Sequence, residues 1–420
     1  TPRRTALEES EFEHDIEDLI QREDMVVTVS NTGYMKRVPL STYRAQKRGG
    51  KGRSGMSTRD EDFVSQVFVV NTHTPVLFFS STGIVYKLKV YKLPLGSPTS
   101  LGKAMINLLP LDEGESITTL MPLPEDEESW GELSVMFATA SGGARRNSLS
   151  DFTNVKANGK IAMKLGDDDQ LIGVQACSET DDILLSSRNG KCIRFPVTDV
   201  RVFSSRSSTG VRGIRLDGDD KVISMSVLSH VKAEISERDE YLQSVSASRR
   251  LAGGDYSDRP EDKVQDESRA ERLNEALFAE MGENEEFILT LADDGIGKRT
   301  SAYEYRISKR GGKGIASIDL KRPKGQATSV VGSFPVETDD QLVMVSDGGQ
   351  LIRCPVAGIS VVGRSSRGVT IFNVADKERV VSVSRLNDDD DDGDEEAGED
   401  APEEAEEFST PEPTPDSEPS

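Results

Sequence analysis

The stretch MVVTVSNTGYMKRVPL, residues 25–40, consists of an apolar run, a polar turn with a glycine, and a second run that carries cations. Similar stretches occur at residues 76–87, 133–146, 183–196, 287–299 and 342–355. Short apolar runs separated by Gly and Asn predict antiparallel hairpins. The turn glycines recur at roughly 50 residues, apart from one interval about twice as long. They are Gly33, Gly83, Gly143, Gly190, Gly295 and Gly348.

Each copy has a second half, in which a loop rich in basic, Ser or Gly residues leads to a strand. An acidic turn such as residues 217–220 and another apolar strand such as residues 222–227 follow. Four short strands per unit of about 50 residues are typical of a propeller blade. One unit cannot bury its faces alone, so we expect the six to close on one another. The glycines before the third strands are Gly52, Gly102, Gly159, Gly213, Gly314 and Gly368.

These patterns predict an all-β, six-bladed, propeller-like domain of four-stranded blades over residues 24–386. The predicted blades span residues 24–72, 73–124, 131–178, 179–228, 284–336 and 337–386.

Three segments lie outside the predicted blades. Residues 1–23 are a linker, with either a lead-in helix over 5–22 after the Thr5-x-x-Glu8 capping box or a fraying chain. Residues 229–283 are a partly helical insert between blades 4 and 5, with a helix from Asp258 to about 281, ended by Gly282, and a mobile part around 244–254. Residues 387–420 are acidic, Pro-rich and predicted to be disordered.

The net charge of −23 is unevenly distributed along the chain. Residues 387–420 carry 17 acids and no base, residues 229–286 have a net charge of −8, and residues 1–24 have −6. The remainder, residues 25–228 and 287–386, is left with +8. A basic body with acidic ends and an acidic insert is compatible with a polyanionic partner, despite the overall negative charge.

The remaining composition argues against several classes of protein. No run of about 18 apolar residues predicts a membrane span. The chain has no signal peptide and does not begin with Met, so we expect a segment of a longer protein. Cys177, Cys192 and Cys354 lack metal-ligand spacing and are interpreted as small core residues of a cytoplasmic protein.

Two further motifs have weak structural contexts. Gly50-x-Gly52-x-x-Gly55 matches a dinucleotide pattern, but no strand-turn-helix unit surrounds it. Residues 388–399 match the EF-hand pattern within a poly-Asp tract without flanking amphipathic helices. The three histidines form neither a triad nor a metal pattern, so we expect no catalytic residue, metal or cofactor in this segment.

Cations recur at similar positions in the repeats. Those after the turn glycines are expected to form a basic belt: Lys36, Arg37, Lys87, Arg145, Arg146, Arg194, Lys298, Arg299 and Arg353. More precede the third strands: Arg48, Lys51, Arg53, Lys103, Lys156, Lys160, Arg206, Arg212, Arg310, Lys313, Arg364 and Arg367. Simple solubility is the alternative, but several cations per blade favour a polyanion track. Aromatic content of 5% favours duplex backbone contact over base stacking.

The most basic of these loops is Gln46-Lys47-Arg48-Gly49-Gly50-Lys51-Gly52. Its glycines allow an anion to approach the main-chain N–H groups, and its three cations supply charge for phosphates. A solvated Gly-Gly turn is the alternative for a lone copy. A second copy at residues 309–314 makes a binding loop the favoured interpretation.

The heptad resembles the box that distinguishes the A subunit of bacterial DNA gyrase, with Lys47 where Arg is usual. Residues 17–20, residues 26–37 and Pro2-Arg3-Arg4-Thr5 are similar to the same family. The resemblance covers residues 2 to about 386. It implies a six-bladed β-pinwheel that wraps duplex DNA around its rim. Lys47 keeps the charge but loses the bidentate geometry of Arg, which matters little for a phosphate contact.

The resemblance also implies partners outside this chain. They are an upstream breakage-reunion domain in the same polypeptide, which holds the catalytic tyrosine and Mg²⁺, and a B subunit that hydrolyses ATP in an A2B2 assembly. The implied function is to enable the holoenzyme to introduce negative supercoils in the cytoplasm, on the nucleoid. The eight tyrosines present here are therefore not expected to be nucleophiles.

Two alternatives remain open from the sequence. One is the C-terminal domain of the related topoisomerase IV A subunit, against which the intact heptad argues. The other is a propeller that binds proteins and has no enzymatic role. The acidic tail is expected to compete with DNA for the basic rim and so to restrain wrapping.

Overall fold

The computed structural model of the chain describes residues 17, 19–42, 64–205, 208–251, 274–322, 326–348, 350–374 and 378–386. The heptad at 46–52, Arg53 and Arg206 lie outside the described residues, as do most of the predicted lead-in helix, the cap at Asp258 and the acidic tail.

Each repeat begins with an antiparallel hairpin. Its two strands are apolar and largely buried on both faces because they lie between neighbouring sheets. The hairpins are β1 (Asp24–Ser30) and β2 (Tyr34–Pro39), β4 (Pro75–Ser80) and β5 (Ile84–Lys89), β8 (Ser134–Thr139) and β9 (Gly143–Ser148), β12 (Asp181–Ser187) and β13 (Lys191–Pro196), β16 (Phe287–Ala292) and β17 (Ile296–Ser301), and β20 (Gln341–Ser346) and β21 (Leu351–Pro355).

Two further strands follow most hairpins. The longer ones are β3 (Val64–Asn71), β7 (Ile117–Pro122), β11 (Leu171–Cys177), β15 (Val222–Ser229), β19 (Val330–Val336) and β23 (Val380–Leu386). The two-residue ones are β6 (Lys103–Ala104), β10 (Lys160–Ile161), β14 (Val211–Arg212), β18 (Ile315–Ala316) and β22 (Val369–Thr370).

The strands form six antiparallel sheets, which confirms the six-bladed, all-β prediction. Five sheets have four strands, with orders β3-β1-β2-β6, β7-β4-β5-β10, β11-β8-β9-β14, β15-β12-β13-β18 and β19-β16-β17-β22. The sixth has three described strands, β23-β20-β21.

The short strand of each four-stranded sheet comes from the following repeat. β6, for example, lies after β5 in the chain but pairs with β2, through Tyr34 with Ala104 and Met35 with Lys103. A blade in space therefore differs by one strand from a repeat in sequence. The exchange ties each repeat to the next through backbone hydrogen bonds.

The long strands lie at the inner edges of the sheets. β7 contacts β11, which contacts β15, and the series continues through β19 and β23 to β3 of the first blade. The short strands are at the opposite edge of each sheet, so they and the loops before them form the outer edge of the ring.

Apolar side chains pack between adjacent blades. Phe79 of blade 2 meets Phe137 of blade 3 edge to face, with ring centroids 5.7 Å apart. Phe152 and the fully buried Trp130 complete this cluster. Truncating an aromatic residue of this kind costs about 3–5 kcal/mol, so the inter-blade clusters are a major source of stability.

Turn glycines are displaced from the expected positions in blade 3. Gly142, with φ of +88°, occupies the hairpin turn, whereas the predicted Gly143 begins β9. Gly210, with φ of +81°, precedes β14, whereas the predicted Gly213 follows it. Only the residue that adopts positive φ requires glycine, and spacing alone does not distinguish it from its neighbour.

The insert contains helices α1 (Ile235–Leu251) and α2 (Glu275–Glu283). The region predicted to be mobile, residues 244–254, begins inside α1, which continues to Leu251, and residues 252–254 lie outside the described residues. The Asn274 side chain accepts the N–H of Leu277 at 2.7 Å and caps α2.

The helices pack on blade 5 through Tyr241, Met281 and Tyr303. The Tyr303 hydroxyl donates to the Met281 carbonyl at 2.9 Å, which ties the insert to the blade.

The cysteines are free, with Cys177 and Cys192 buried and Cys354 partly buried, as expected of core residues. Burial raises the pKa of Cys177 and Cys192 to about 12. Within the described ranges, no group of His, Cys, Asp and Glu is arranged to hold a metal. Over the same ranges, neither the length nor the hydropathy of any helix suffices to cross a bilayer.

Candidate nucleic-acid interface

One cation recurs at the same position in the second hairpin strand of all six repeats. We call these residues the clamp cations: Arg37, Lys87, Arg146, Arg194, Arg299 and Arg353. Several donate to carbonyls at or just after the 3₁₀ turn of the next repeat. Arg37 Nε lies 2.9 Å from the Leu93 oxygen, and Arg299 Nε lies 2.8 Å from the Ile359 oxygen. Lys87 donates to the Thr153 carbonyl in the same way.

Arg194 is the most strongly held of the clamp cations. Its Nε donates to Asp182 Oδ2 at 2.8 Å, and both side chains are almost completely buried, at 2% and 0% exposure. Its other nitrogens donate to the Ser229 and Ala302 carbonyls at 2.9 and 2.8 Å. His230 Nδ1 lies 3.0 Å from the second oxygen of Asp182. The group joins blade 4, the start of the insert and blade 5.

The residue before the clamp cation is basic in alternate blades. We call Lys36, Arg145 and Lys298 the loop-holding cations, because each donates to carbonyls of an outer-edge loop. Lys298 Nζ lies 2.8 Å from the Gly363 oxygen and 3.1 Å from that of Ser366. Burial lowers the pKa of Lys298 to about 7 and that of Lys36 to about 8.

The expectation that these cations form an exposed basic belt is wrong for most of them. Lys36, Arg145, Arg146, Arg194, Lys298 and Arg299 are buried, and Arg37, Lys87 and Arg353 are half-buried with protein partners. Equivalent positions do fall on equivalent surfaces, but the surface concerned lies between blades. These side chains hold the ring together and are not available to a ligand on the rim.

The cations near the short strands have a different environment. Lys103, Arg212, Lys313 and Arg367 are exposed at or just before β6, β14, β18 and β22. Lys160 in β10 is half-buried and donates to the Asn154 carbonyl at 2.9 Å. The outer edges of blades 1, 3, 4 and 5 therefore each carry an exposed cation at or within two residues of the short strand, although its position in the strand register differs between blades.

Two predicted rim residues support the loops instead. Arg310 donates to the Asp199 carbonyl at 2.9 Å and to the Arg212 carbonyl at 3.1 Å. Arg364 donates to the carbonyls of Glu304 and Ala316. Both side chains are half-buried and connect an outer-edge loop to the neighbouring repeat.

The described copy of the basic glycine loop, residues 308–314, is built against the preceding blades. The Gly312 carbonyl accepts the N–H of Arg215 at 2.8 Å. Gly314 has φ of +69°, and a Cβ on it would lie 2.3 Å from the Cys192 carbonyl oxygen. Lys313 stays 64% exposed, and its Nζ lies 3.5 Å from a carboxylate oxygen of the exposed Asp217. The loop thus has a fixed backbone and outward-facing lysines.

Blade 4, which supports this loop, has Ile193 at the position of the loop-holding cations. A Cβ on Gly312 would lie 3.6 Å from Ile193 Cδ1, so an apolar group lies beneath the glycines. The positive charge belongs to the loop itself and faces outward. The predicted set of site residues omitted Lys309 and Arg215, which are exposed beside this loop. Lys309 could have been included because it begins the repeated motif, whereas no pattern identifies Arg215.

The fold and this edge define a class: a strand-exchanged six-bladed propeller whose outer-edge loops carry cations. The family model described as "DNA gyrase C-terminal domain, beta-propeller" matches residues 24–71, 74–124, 134–178, 181–229, 286–323 and 340–387. The chain belongs to this family, which confirms the resemblance seen in the sequence.

Relatives and solved structures agree with this assignment. The DNA gyrase A subunit of Rickettsia bellii is 52% identical over 396 residues, which are 93% of this chain and 42% of the relative. That of Escherichia coli is 37% identical over 384 residues, 91% of this chain and 37% of the relative. The chain thus spans about two fifths of the length of the curated relatives it matches.

Two solved structures share the fold. The C-terminal domain of DNA topoisomerase IV has a TM-score of 0.67 at 19% identity, and the match covers 89% of this chain and 96% of that domain. The structure of a DNA gyrase A C-terminal domain has a TM-score of 0.55 at 23% identity, with coverages of 87% and 100%. At these identities the likeness concerns the fold alone.

Proposed function

We propose that this domain binds duplex DNA along its outer edge and wraps it around the ring. The observation that carries the proposal is the placement of Lys103, Arg212, Lys313 and Arg367, which are exposed at or within two residues of the outer-edge strands β6, β14, β18 and β22. Membership of the gyrase C-terminal family supports it.

The energetics favour contact with the DNA backbone. Smooth bending costs on the order of 1–6 kcal/mol per 20–30 base pairs. Each phosphate that is neutralised by Lys or Arg releases counterions, and several such contacts spread over the blades offset this cost. The outer-edge sites are cationic rather than aromatic, so they suit phosphates of a duplex and do not suit the stacking of single-stranded bases.

Two loops are proposed as anchoring points. The loop at 308–314 combines a backbone built against the preceding blades with exposed Lys309 and Lys313. The heptad Gln46-Lys47-Arg48-Gly49-Gly50-Lys51-Gly52 has the same residue pattern, and blade 6 has Ile352 where blade 4 has Ile193. By analogy, we assign the heptad, with Arg53, the role of pinning the DNA where the wrap closes.

The catalytic steps are assigned to parts of the enzyme outside this chain. In the proposed holoenzyme, an upstream breakage-reunion domain cleaves DNA with a tyrosine and Mg²⁺, and the B subunit hydrolyses ATP in an A2B2 assembly. A wrap of fixed hand presents one DNA segment to the cleavage gate in one sense. Strand passage then introduces negative supercoils in DNA of the bacterial nucleoid.

The acidic tail is proposed to compete with DNA for the outer edge. Residues 387–420 carry 17 acids and no base. Deleting them is expected to tighten DNA binding at low salt, with the difference disappearing at high salt because ionic screening weakens the competition. Equal affinities at low salt would contradict this role.

A salt-titrated gel shift with relaxed circular duplex, followed by topoisomerase relaxation and topoisomer analysis, tests wrapping. We expect a steep salt dependence and a change in linking number of one sign. Protein binding without DNA affinity would support the adaptor alternative. In the holoenzyme, replacing Lys47, Arg48 and Lys51 by alanine should abolish supercoiling and preserve relaxation. Supercoiling and relaxation that are both unchanged would contradict the heptad's role.

A further inference from the structure

A cavity of about 330 Å³ lies between the helical insert and the segment that leads from blade 5 into the loop at 308–314. Val231, Ala233, Ile235 and Met281 contribute its apolar wall on the insert side, and Ile307 contributes from the blade. Ile235 is 71% exposed and Ile307 is 40% exposed. Neighbouring apolar groups left in water around a concave site are typical of a surface that binds another group.

The mouth of this cavity is cationic. Arg306 is exposed and makes no ion pair with any residue in the described part of the chain. Arg238 pairs with its exposed neighbour Asp239 at 2.8 Å, and such surface pairs are worth little. Arg194 also lines the cavity but is committed to Asp182. The site therefore suits a ligand that places one apolar group inside and carboxylates outside.

We infer that this cavity binds residues 403–408 of the acidic tail of the same chain. Glu403, Glu404, Glu406 and Glu407 precede Phe408, which is the only large apolar residue within 387–420. Phe408 would enter the apolar cavity, and the glutamates would lie beside Arg238 and Arg306.

The tail is long enough to reach the site from the last described residue. Leu386 and Phe408 are separated by 22 positions in the chain. Extended chain spans about 3.3–3.6 Å per residue, so this segment covers up to about 70 Å. A domain of this size has a radius of gyration of about 20 Å. Leu386 ends β23 of blade 6, which neighbours the blade 5 that borders the cavity, so the cavity lies within reach of the tail.

The segment between the two helices is the competing occupant. Residues 252–273 carry seven acids but also four bases, whereas the tail carries no base. The charge of the cavity mouth thus favours the tail. An approach by the helix connection is a distinct outcome of the experiment below.

The consequence for regulation rests on the proposed DNA binding. Arg306 and Ile307 directly precede the loop that contains Lys309 and Lys313. A tail anchored in the cavity brings its remaining acids beside these exposed lysines, where they compete with DNA phosphates. The anchor converts a diffuse electrostatic effect into a competition at one loop.

Photo-crosslinking tests the anchor without DNA. The 420-residue chain is prepared with p-benzoyl-phenylalanine in place of Phe408, irradiated, digested and analysed by mass spectrometry. We expect intramolecular crosslinks to peptides that contain Ile235, Met281 or Ile307. Crosslinks predominantly to residues 252–273, to other blades or to no peptide would overturn the inference.

Matched variants separate anchoring from general charge attraction. Arg306→Glu should reduce the crosslink yield roughly tenfold, while Lys221→Glu, at an exposed cation on the blade 4 turn, should leave it unchanged. Equal losses would show that docking is not at the cavity. DNA binding is measured on chains without the photo-crosslinker. There, Phe408→Ala should tighten DNA binding at low salt several-fold compared with the unaltered chain, and Phe408→Leu should not. A normal crosslink pattern in a chain that fails to bind DNA would refute the proposed function and leave the anchor intact.

Discussion

Replacing Arg194 or Arg212 by alanine distinguishes the buried clamp cations from the exposed cations of the outer edge. Arg194 loses a buried ion pair with Asp182 and two hydrogen bonds to carbonyls of neighbouring segments. Leaving one member of such a pair without its partner costs about 3–5 kcal/mol of folding free energy. We expect Arg194→Ala to lower the free energy of unfolding by that amount.

Arg212→Ala provides the matched comparison at an exposed position. A surface substitution of this kind changes stability by about 0.5 kcal/mol or less. If Arg212 contacts one phosphate, its loss should reduce the slope of log affinity against log salt by about 0.9. The two substitutions are therefore expected to affect different measurements.

Urea unfolding followed by far-UV circular dichroism measures the first effect, and salt-titrated binding to a duplex measures the second. Binding of Arg194→Ala is measured below its unfolding transition, where its salt slope should match that of the unaltered chain. The clamp interpretation would be refuted if Arg194→Ala changed the unfolding free energy by less than about 1 kcal/mol and reduced the salt slope as Arg212→Ala does.

The remaining predictions concern the loops and the core. Burial lowers the pKa of Lys298 from 10.5 to about 7, so between these pH values the unfolded chain binds more protons and stability rises with pH. Lys298→Met should remove this contribution. If the free energy of unfolding changed between pH 7 and 9.5 by the same amount in both chains, this reasoning would be contradicted. Gly314→Ala should destabilise the chain by about 1–3 kcal/mol and speed amide exchange in β18. Gly218 has φ of +64° but no atom near the position of a Cβ, so Gly218→Ala should cost less. Equal losses of unfolding free energy in urea would exclude a steric role for the Cys192 carbonyl. Cys192 is buried and its pKa is raised to about 12. An aromatic disulfide reagent should therefore label the partly exposed Cys354 first and Cys192 only at the rate of unfolding. Rapid labelling of Cys192 in the native chain would argue against its buried position.

The repeat itself was predictable because local sequence specifies it. Apolar runs broken by glycine recur six times, and each predicts a hairpin without knowledge of its neighbours. The insert was located from the doubled spacing between Gly190 and Gly295. Its first helix was missed because α1 is rich in Ser and charged residues and has a weak apolar pattern; its packing on Tyr303 stabilises it.

The exchange of short strands was not predictable from the sequence. β6, β10, β14, β18 and β22 have two residues each, and nothing in a two-residue strand specifies its partner. Pairing with the preceding hairpin depends on the assembly of the ring, which places each loop against the preceding sheet.

The sequence by itself determined the number of blades, the basic charge of the body and the outer-edge cations such as Lys313. Only the tertiary structure decided which cations face solvent. Lys298 and Lys313 are the same type of residue, but one lies on a strand between two sheets and the other on a loop at the outer edge. Burial of charge depends on what packs against a side chain, and those neighbours come from another repeat.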